Sequence, residues 1–477
     1  MKPLNQASLA GLSAPVARPT YDRARLQTGI LHFGPGAFHR AHQADIIDRL
    51  LVDDPRWGIA AVSLRSPGTV EALKAQDGLY TLAILDKEPS FRILGAHTRF
   101  LGPGEGERVR AQLADPQLRI VTSTVTEKGY CLGGDGSLDF DHPDVIHDLA
   151  NPDRPESLIG WLALGLRDRR EAGCAPFTAL CCDNMVSNGR KLGEAVQAFA
   201  RRIDPGLADW IAGEARFPNS MVDSITPATD DGTRAEVSEA IGAIDAIPVR
   251  REAYTAWIIE DILPAGTADL ASAGAVLTDD VAAYELAKLR ILNGAHSTLA
   301  YIGLLLGHET VADAMADEAL AQFVERLIHV DIIPALSPAF DLGRYSAEIL
   351  ERFRNPSIAH KLSQIAWDGS QKLPYRLLDS VTDAIAGGRP LSRLAVPIAA
   401  WMLFVERQAR SGTAIVDPLA DELCGIGRHG TIPGDLLGMR NIFAEGVAGN
   451  AAFRHALEKA IAAFRSGGPR SLIGAIE

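Results

Sequence analysis

Three residues in one short segment, Lys288, Asn293 and His296, have side chains that can exchange protons and donate hydrogen bonds. The surrounding stretch, AAYELAKLRILNGAHSTLAYIGLLLG, repeats apolar residues at steps of three and four, which predicts a buried helix. At about 100° per residue, the three polar side chains fall within one arc of ~140°. A lysine that faces a core is costly unless it is paired or deprotonated. This helix face is therefore either wet and merely polar, or it lines a site.

The size and charge of the chain restrict its class. It has 477 residues, 47% of them hydrophobic and 22% charged, which is enough for two domains. The formal net charge of −13 disfavours nucleic acid and anionic membrane as partners. The N-terminus has no apolar signal segment, and the longest apolar runs are too short to span a bilayer. We expect a cytoplasmic protein that binds a small molecule; its oligomeric state, monomer included, stays open.

The cysteines and histidines do not indicate a metal site. The adjacent Cys181 and Cys182 do not fit a disulfide framework, and no C-x-x-C or H-E-x-x-H spacing suggests zinc. His32, His39 and His42 cluster around a glycine turn, but no carboxylate or cysteine is spaced to complete a site with them. We therefore expect no metal.

The order of predicted elements indicates an α/β first domain and a helical second domain. Strand-like segments at 29–33, 58–64, 119–126 and 177–184 alternate with helical ones, such as residues 37–51, which predicts a mainly parallel sheet. From about residue 281 the periodicity is helical almost throughout, after a connector rich in Ala, Gly and Asp. We place the domains at residues 1–280 and 281–477.

A nucleotide signal follows the first strand in the segment GILHFGPGAFHRAH. Glycines after a strand and before a helix permit a tight turn and a close approach to a pyrophosphate. The third glycine of the usual fingerprint is missing, so the loop alone also fits an ordinary strand–helix turn. The residues expected at the cofactor here are Phe33, Gly34, Pro35, Gly36, Ala37 and Phe38.

The end of the second strand leaves the choice of cofactor open. An NAD site usually has an acidic residue there, which binds the ribose 2′-hydroxyl, but this chain has Ser63, Arg65 and Ser66. Arg65 beside two hydroxyls can accept the 2′-phosphate of NADP. Arg65 can equally be a solvated loop residue or stack on the adenine.

Several motifs together resemble the mannitol dehydrogenase family of metal-independent, long-chain polyol and sugar-acid dehydrogenases. They are FGPGAFHRAHQ, QDGLYTL, TVTEKGYC, CDNMVSNG, FPNSMVDSITP and the spacing K-x4-N-x2-H. The resemblance runs from about residue 29 to the C-terminal third. It implies a Rossmann-type dinucleotide-binding N-terminal domain, a mostly α-helical C-terminal domain and an active site in the cleft between them, with NAD as the usual cofactor.

The resemblance also implies roles for the polar residues of the opening helix. Lys288 would be the general base in alcohol oxidation, Asn293 and His296 would polarise the reacting oxygen, and Glu285 would relay the proton. The chemistry agrees, because a desolvated lysine can accept a proton near neutral pH and two donors can stabilise an alkoxide. On spacing alone, Glu285 and Lys288 also fit a surface ion pair.

Four further positions follow from the resemblance in the first domain. Asn184 and Asp223 would contact substrate hydroxyls, and Thr126 and Glu127 would lie at the cofactor. No spacing rule links these four residues to one another.

The segment DGSQKLPYR bears on the substrate. Lys372 and Arg376 are four residues apart, so they can share a helix face and bind a carboxylate, or form an exposed basic helix start. The sequence of this segment resembles that of fructuronate reductases (mannonate oxidoreductases), so we favour D-mannonate and D-fructuronate as the substrate pair. Mannitol 2-dehydrogenase and arabinitol dehydrogenase remain alternatives.

Three other classes compete with this interpretation. Tyr284 and Lys288 form the Y-x-x-x-K of short-chain dehydrogenases, but those are about half as long and have a different glycine loop. A dinucleotide-binding sensor without catalysis would need no base at Lys288. A phosphorylated-sugar dehydrogenase would need a basic cluster that the sequence does not clearly show.

Overall fold

The computed structural model describes residues 1–474 except residues 14, 87, 338 and 359. The chain divides into two compact units, Met1–Ala282 and Ala283–Glu477. The first unit combines strands and helices, and the second is helical. Within the described residues, no helix has both the length and the apolar character needed to cross a membrane.

The first unit contains all the strands of the described residues. In chain order they are β1 (Thr28–Phe33), β2 (Gly58–Val62), β3 (Tyr80–Leu85), β4 (Ser90–Leu94), β5 (His97–Leu101), β6 (Ile120–Ser123), β7 (Thr178–Cys181), β8 (Ser220–Asp223), β9 (Val249–Glu252), β10 (Ala256–Glu260) and β11 (Val276–Thr278). The α-helices that lie wholly in this unit are α1 (Ala37–Ala41), α2 (Gln43–Leu50), α3 (Gly68–Ala75), α4 (Gly106–Ala114), α5 (Pro143–Ala150), α6 (Leu158–Glu171), α7 (Asn188–Ile203), α8 (Pro205–Glu214) and α9 (Asp231–Ile241). Its 3-10 turns are Leu9–Gly11, Arg23–Arg25, Pro55–Trp57 and Glu127–Tyr130.

The remaining helices begin at the boundary between the units. They are α10 (Val281–Ala287), α11 (Gly294–Leu306), α12 (Val311–Ala316), α13 (Glu318–Arg326), α14 (Leu342–Phe353), α15 (Leu362–Ile365), α16 (Gly369–Leu373), α17 (Asp379–Ala386), α18 (Ser392–Ser411), α19 (Ala420–His429), α20 (Gly434–Leu437), α21 (Glu445–Ala448), α22 (Ala451–Gly467) and α23 (Arg470–Gly474). Three π-helical turns, Lys288–Asn293, Leu327–Ile332 and Pro374–Leu378, and the 3-10 turn Ile333–Ala335 interrupt them.

The main sheet is parallel, with the strand order β5-β2-β1-β6-β7. This is the doubly wound order of a Rossmann-type domain. The four predicted strands are confirmed as β1, β2, β6 and β7. The edge strand β5 was not predicted, because its residues are only partly buried and do not form an apolar run.

Burial on both faces explains why the central strands are apolar throughout. All six residues of β1 are buried. Leu31 and Phe33 belong to one apolar cluster, with residues of α4, α6, α7 and α8, while Ile30 belongs to a second cluster with residues of α2. The strands therefore hold a sheet whose carboxyl ends are fixed from both sides.

The predicted helix over residues 37–51 was wrong in one respect, because the structure breaks it at His42. The backbone of His42 leaves helical geometry at φ −113° and ψ −83°, and α2 starts at the next residue. The His42 Nε2 atom lies 2.9 Å from the Ala256 carbonyl oxygen, and Nδ1 lies 3.0 Å from Gln43 Nε2. A tertiary hydrogen bond to β10 thus overrides the helical periodicity.

The second unit is organised around α11, whose residues are buried on nearly every side. This helix packs against α18, which contains the long apolar run of residues 394–405. A helix that is apolar all round is typical of the centre of a domain. The polar residues His296, Ser297 and Thr298 therefore lie in a buried helix.

Gly34, in the turn between β1 and α1, cannot accommodate a side chain without strain. It adopts φ +86°, and a Cβ there would collide with the Thr124 carbonyl oxygen. We expect Gly34→Ala to lower the free energy of unfolding by at least ~1–3 kcal/mol, since the alanine would have a strained positive φ and its Cβ would clash with the neighbouring backbone. Chemical denaturation with urea measures this loss.

Gly36→Ala is the matched control for that change. A Cβ at Gly36 would meet nothing closer than the Gly34 carbonyl oxygen at 3.9 Å, and its φ is −69°. Stability should stay within about 0.5 kcal/mol of the wild type, while binding of a dinucleotide across the open turn should weaken. Equal loss of stability in both variants would contradict this distinction.

Candidate active site

The segment with Lys288 and Asn293 is a π-helical turn, and not the regular α-helix that the periodicity predicted. The Gly294 N–H donates to the carbonyl oxygen of Leu289, five residues back. In such a turn, residues five positions apart lie on nearly the same side, so Lys288 and Asn293 are closer in angle than α-helical geometry allows. Single π turns within α-helices occur frequently at functional sites.

Close backbone packing accompanies this turn. A Cβ at Gly294 would lie 2.8 Å from the Arg376 carbonyl oxygen, so glycine permits the two chains to touch. Arg376 itself lies in another π turn, Pro374–Leu378, which packs against the first. The packing thereby places Arg376 beside the segment that runs from Asn293 to His296.

His296 has an apolar and basic environment. Its ring centroid lies 4.4 Å from that of Phe353 and 5.2 Å from that of His360, which meets it edge-on. Burial lowers the pKa of His296 well below its ordinary value, and the nearby His360, Arg376 and Arg352 lower the pKa further. The imidazole is therefore neutral at physiological pH.

The neutral ring of His296 offers a hydrogen-bonding atom. Its Nε2 atom is buried and has no partner in the part of the chain that the structure describes. An unpartnered buried polar atom is costly and needs an explanation. A bound oxygen atom at this position would remove the cost, which is the role that the sequence predicted for this histidine.

Lys372 and Arg376 are close to each other but do not share a regular helix face, since α16 ends at Leu373. The Arg376 guanidinium donates to Ser297 Oγ over 3.2 Å. The Lys372 ammonium donates to the Trp367 carbonyl oxygen over 2.6 Å and lies 3.7 Å from the Asp368 carboxylate. Burial, and then the charge of Arg376, lower the pKa of Lys372.

Glu285 and Tyr284 lie on α10, one turn before Lys288. Glu285 and Lys288 are both half-buried. The Tyr284 ring stacks on Phe340 with 4.0 Å between centroids, and burial raises its phenol pKa. Tyr284 is thus an aromatic packing residue that is poorly suited to act as a base.

In the first unit, the residues from Phe33 to Phe38 form the predicted turn between β1 and α1. The Gly34 N–H donates to Val62 of β2, and the Gly36 N–H donates to the Gly34 carbonyl oxygen. Gly36 is exposed, and its Cα faces open space. The turn therefore leaves room for a ligand, as a dinucleotide pyrophosphate requires.

The histidines around this turn have structural partners. The rings of His32 and His39 stack with 3.4 Å between centroids, and His39 Nε2 lies 3.1 Å from His97 Nε2. His32 Nδ1 lies 2.7 Å from Thr122 Oγ1. Burial lowers the pKa of His32 and of His97 to about 3, so these rings pack as neutral groups.

Arg65 lies beyond the end of β2, where it forms an ion pair with Asp144 of α5. Neither residue's sequence context predicts this pair. Both side chains line a cavity of about 730 Å³ at the carboxyl ends of β2 and β5. The apolar part of its lining includes Val62, Leu64, Val109 and Trp161.

Thr126 and Glu127 follow β6 in a strained turn. Thr126 adopts φ 68° and ψ 160°, a region that β-branched residues rarely occupy. The Asp183 carboxylate holds this turn by accepting the Val125 N–H over 2.8 Å and the Tyr130 hydroxyl over 2.7 Å. Burial raises the pKa of Asp183, while hydrogen bonds from Tyr130 and from the backbone of Val125 and Thr126 oppose the rise.

Asn184 comes next to Asp183 and is exposed, whereas Asp223 is the buried last residue of β8. Asn188 joins the two segments: its Nδ2 donates to Ser220 and Cys181 carbonyl oxygens, and its Oδ1 accepts the Ser220 N–H. Hydrogen bonds between Asn188 and the backbone of Ser220 thus link the motifs CDNMVSNG and FPNSMVDSITP.

One set of side chains in the described residues could hold a metal ion. The potential ligand atoms of Cys131, His142 and Asp144 lie within 4.8 Å of one another. However, His142 Nδ1 accepts the Asp144 N–H, Arg65 pairs with Asp144, and burial raises the pKa of Cys131 to about 11. Because these contacts disfavour a cation, metal independence stays our prediction.

The sequence did not indicate several residues of these sites. Arg352, Phe353 and His360 surround His296 from elements more than 50 positions away, and Asp183 and Asp144 act through contacts of the same long-range kind. Asp183 had one available signal, because it directly precedes the motif residue Asn184.

Comparisons with known proteins agree with the fold and with the motifs. The model of the mannitol dehydrogenase Rossmann domain matches residues 28–272, and that of the mannitol dehydrogenase C-terminal domain matches residues 280–465. D-mannonate oxidoreductase of Escherichia coli (strain K12) is 40% identical over 97% of this chain and 98% of its own.

Two solved structures are similar along the whole chain. A substrate-free D-sorbitol dehydrogenase has a TM-score of 0.93 at 31% identity and covers 98% of this chain and 100% of its own. Mannitol 2-dehydrogenase of Pseudomonas fluorescens, in a ternary complex with NAD and D-mannitol, has a TM-score of 0.82 at 34% identity. It covers 100% of this chain and 99% of its own.

Asp183→Asn tests whether the carboxylate positions the turn at Thr126. An amide of the same size accepts fewer N–H and O–H donors, so we expect a stability loss of about 1.5–3 kcal/mol together with weaker binding of NADH. Thermal unfolding with and without NADH measures both effects. Asp53→Asn, at an exposed aspartate, should change neither. An Asp183→Asn variant with normal NADH affinity would contradict the positioning role.

Proposed function

Because the chain belongs to the mannitol dehydrogenase family of oxidoreductases that act on secondary alcohols, we propose that it interconverts D-mannonate and D-fructuronate with NAD. The observation that carries this proposal is the concentration of positive charge around the neutral His296. A sugar acid differs from a polyol by one terminal carboxylate, which such a region would bind.

Positive charges lie close to both Lys372 and His296. Arg376 lowers the pKa of both Lys372 and His296, and Arg352 also lowers the pKa of His296. The positive charges near Lys372 and His296 would be stabilised by an anion. The Arg376 guanidinium has five N–H donors and gives one to Ser297 Oγ, so it retains donors for a carboxylate.

The similarity to D-mannonate oxidoreductase supports the same substrate class. That relative is 40% identical along nearly the whole of both chains. The segment DGSQKLPYR, which contains Lys372 and Arg376, also resembles the fructuronate reductases. The assignment therefore has support from the overall sequence and from the local charge.

In the proposed reaction, Lys288 removes the hydroxyl proton as the carbon is oxidised. NAD, when bound, supplies the acceptor for the hydride that leaves this carbon. A lysine amine serves as base only in its neutral form. Glu285, one turn earlier on α10, is proposed to pass the proton on to water.

Asn293 and His296 are proposed to stabilise the oxygen on which negative charge develops. The Asn293 amide and the neutral His296 ring can each donate one hydrogen bond, as an oxyanion hole does. Because His296 is neutral, it adds no positive charge to that of the nearby Arg376 and Arg352. Asn184 and Asp223 are proposed to bind substrate hydroxyls.

The residues proposed to hold NAD lie in the first unit. The Gly34–Gly36 turn is open toward solvent, and the cavity at the ends of β2 and β5 has an apolar wall suited to an adenine. The residues are Phe33, Gly34, Pro35, Gly36, Ala37, Phe38, Arg65, Thr126 and Glu127.

Oxidation of D-mannitol to D-fructose is the second candidate function. The Lys372 ammonium already contacts the Trp367 carbonyl oxygen and the Asp368 carboxylate, so its charge is partly satisfied without a substrate anion. A Lys372 held in this way would suit hydroxyl groups. The mannitol 2-dehydrogenase structure, similar over the full chain, is consistent with this alternative.

Lys288→Ala should lower kcat by at least the ~10²–10⁴-fold that is typical of a general base, while NADH affinity stays normal. Stopped-flow turnover and fluorescence titration of NADH measure the two effects. Added primary amines should restore part of the activity of the variant. Lys459→Ala, at an exposed lysine of α22, is the control; a parallel loss of NADH binding in Lys288→Ala would make Lys288 structural.

Arg376→Met and Lys372→Met test the substrate assignment. If these cations bind the carboxylate, the wild type prefers fructuronate to fructose, and each substitution lowers kcat/KM for fructuronate by roughly 10–100-fold, with fructose little affected. Assays of NADH oxidation with both ketoses measure the preference. Arg354→Met, at an exposed arginine, serves as control. Equal damage to both reactions would favour the mannitol assignment.

A further inference from the structure

The cavity at the carboxyl ends of β2 and β5 is lined by four acidic residues, although the end of β2 itself has none. In a doubly wound sheet, the adenosine half of a dinucleotide extends over the end of the second strand. Val62, Leu64 and Trp161 form an apolar wall of this cavity, and Arg65 and Asp144 both contribute to its lining. Asp144 comes from α5, 79 positions after Arg65.

The two charged residues differ in how firmly they are held. Asp144 lies in the first turn of α5, its backbone N–H donates to His142 Nδ1, and only 17% of its side chain is exposed. The Arg65 side chain is 75% exposed. Asp144 is therefore the fixed member of the pair, and Arg65 is the member that can move.

The polar groups at the end of β2 are already engaged. Ser63 Oγ donates to the Ser66 carbonyl oxygen over 2.6 Å, so it is not free to donate to a ribose or a phosphate. Another cation of the cavity, Arg110, is bound to Asp168 over 2.6 Å.

The lining of the cavity also includes the exposed Arg154 and three further carboxylates, Glu107, Asp153 and Glu156. Asp153 is paired with Arg167, and Glu156 lies 3.7 Å from His147. Asp144 is the carboxylate that pairs with Arg65, just beyond the end of β2.

We propose that Asp144 is the residue that selects NAD over NADP. It takes the place of the acidic residue that is missing at the end of β2, and accepts a hydrogen bond from the ribose 2′-hydroxyl. A 2′-phosphate would have to draw Arg65 away from Asp144 and would leave two anionic groups side by side. This inference rests on the proposed use of a dinucleotide, but it does not depend on the sugar substrate.

The direction of the effect follows from the charges. In the wild type, the Asp144 carboxylate both repels a 2′-phosphate and occupies the guanidinium that would bind it. Asp144→Asn removes the repulsion and releases Arg65, while the amide can still hydrogen-bond a hydroxyl. For a partly solvated pair, we expect a gain of about tenfold in affinity for the 2′-phosphate and a change of less than about threefold for the 2′-hydroxyl.

The test uses ligands that lack the nicotinamide, so that binding is measured without catalysis. Isothermal titration calorimetry gives the Kd of ADP-ribose and of 2′-phospho-ADP-ribose for the full-length wild type and for Asp144→Asn. The expected result is a preference for ADP-ribose in the wild type, which Asp144→Asn reduces by tightening the phosphorylated ligand. Asp141→Asn, which removes the same charge at an exposed position three residues earlier, should leave both Kd values unchanged.

A third variant identifies the cation. In the double variant Asp144→Asn with Arg65→Ala, the gain in affinity for 2′-phospho-ADP-ribose should disappear. Persistence of the gain would assign the phosphate to another cation, such as Arg154, and overturn the part of the proposal that concerns Arg65.

The remaining outcomes are distinct. Equal changes for both ligands, or no change, in Asp144→Asn would overturn the role of Asp144 while leaving the dinucleotide proposal intact. If neither ligand binds the wild type, the dinucleotide proposal fails, and the selectivity proposal fails with it.

Discussion

The backbone contact between Gly34 and Thr124 is the constraint on which the first unit depends. At this point the carboxyl ends of β1 and β6 approach so closely that a Cβ on Gly34 would collide with the Thr124 carbonyl oxygen. The approach sets the direction of the turn into α1 and leaves Gly36 facing open space. It also places the Thr126 turn directly after the contact, where Asp183 holds a backbone geometry that threonine disfavours.

A comparable contact shapes the second unit. Gly294 lets the π turn at Lys288–Asn293 lie against the backbone of Arg376, which is itself in a π turn. The consequence is chemical as well as geometric, since burial lowers the pKa of the His296 imidazole and the nearby Arg376 guanidinium lowers it further. A hydrogen-bond donor without charge, next to cations that can bind an anion, suits the oxidation of an alcohol that carries a carboxylate.

Neutral histidines recur in this protein for a common physical reason. His32, His39 and His97 pack in the first unit, and His296 and His360 meet edge-on in the second. Burial lowers the pKa of each of these rings, because the low-dielectric interior disfavours the imidazolium. Their partners differ: His32 bonds to Thr122, whereas His39, His97, His296 and His360 each have one buried ring nitrogen without a partner among the described residues.

The sequence by itself determined the fold class, the four central strands, the glycine turn and the family, because these depend on local periodicity and on contiguous motifs. It also predicted that Lys288, Asn293 and His296 act together, which stays a prediction. The π-helical geometry of Lys288–Asn293 was not predictable from an α-helical period. The break at His42 was likewise not predictable from the sequence, since it accompanies a hydrogen bond to Ala256, far along the chain.

Only the tertiary structure decided how charges are paired and which ones oppose each other. Arg65 has no acidic neighbour in the sequence, but folding brings Asp144 to it from α5, far along the chain. Arg352 and His360 belong to no motif, yet both lower the pKa of His296 beyond the effect of burial. The physical reason is that electrostatic interactions depend on distance in space and on burial, and a linear sequence specifies neither for residues on separate elements.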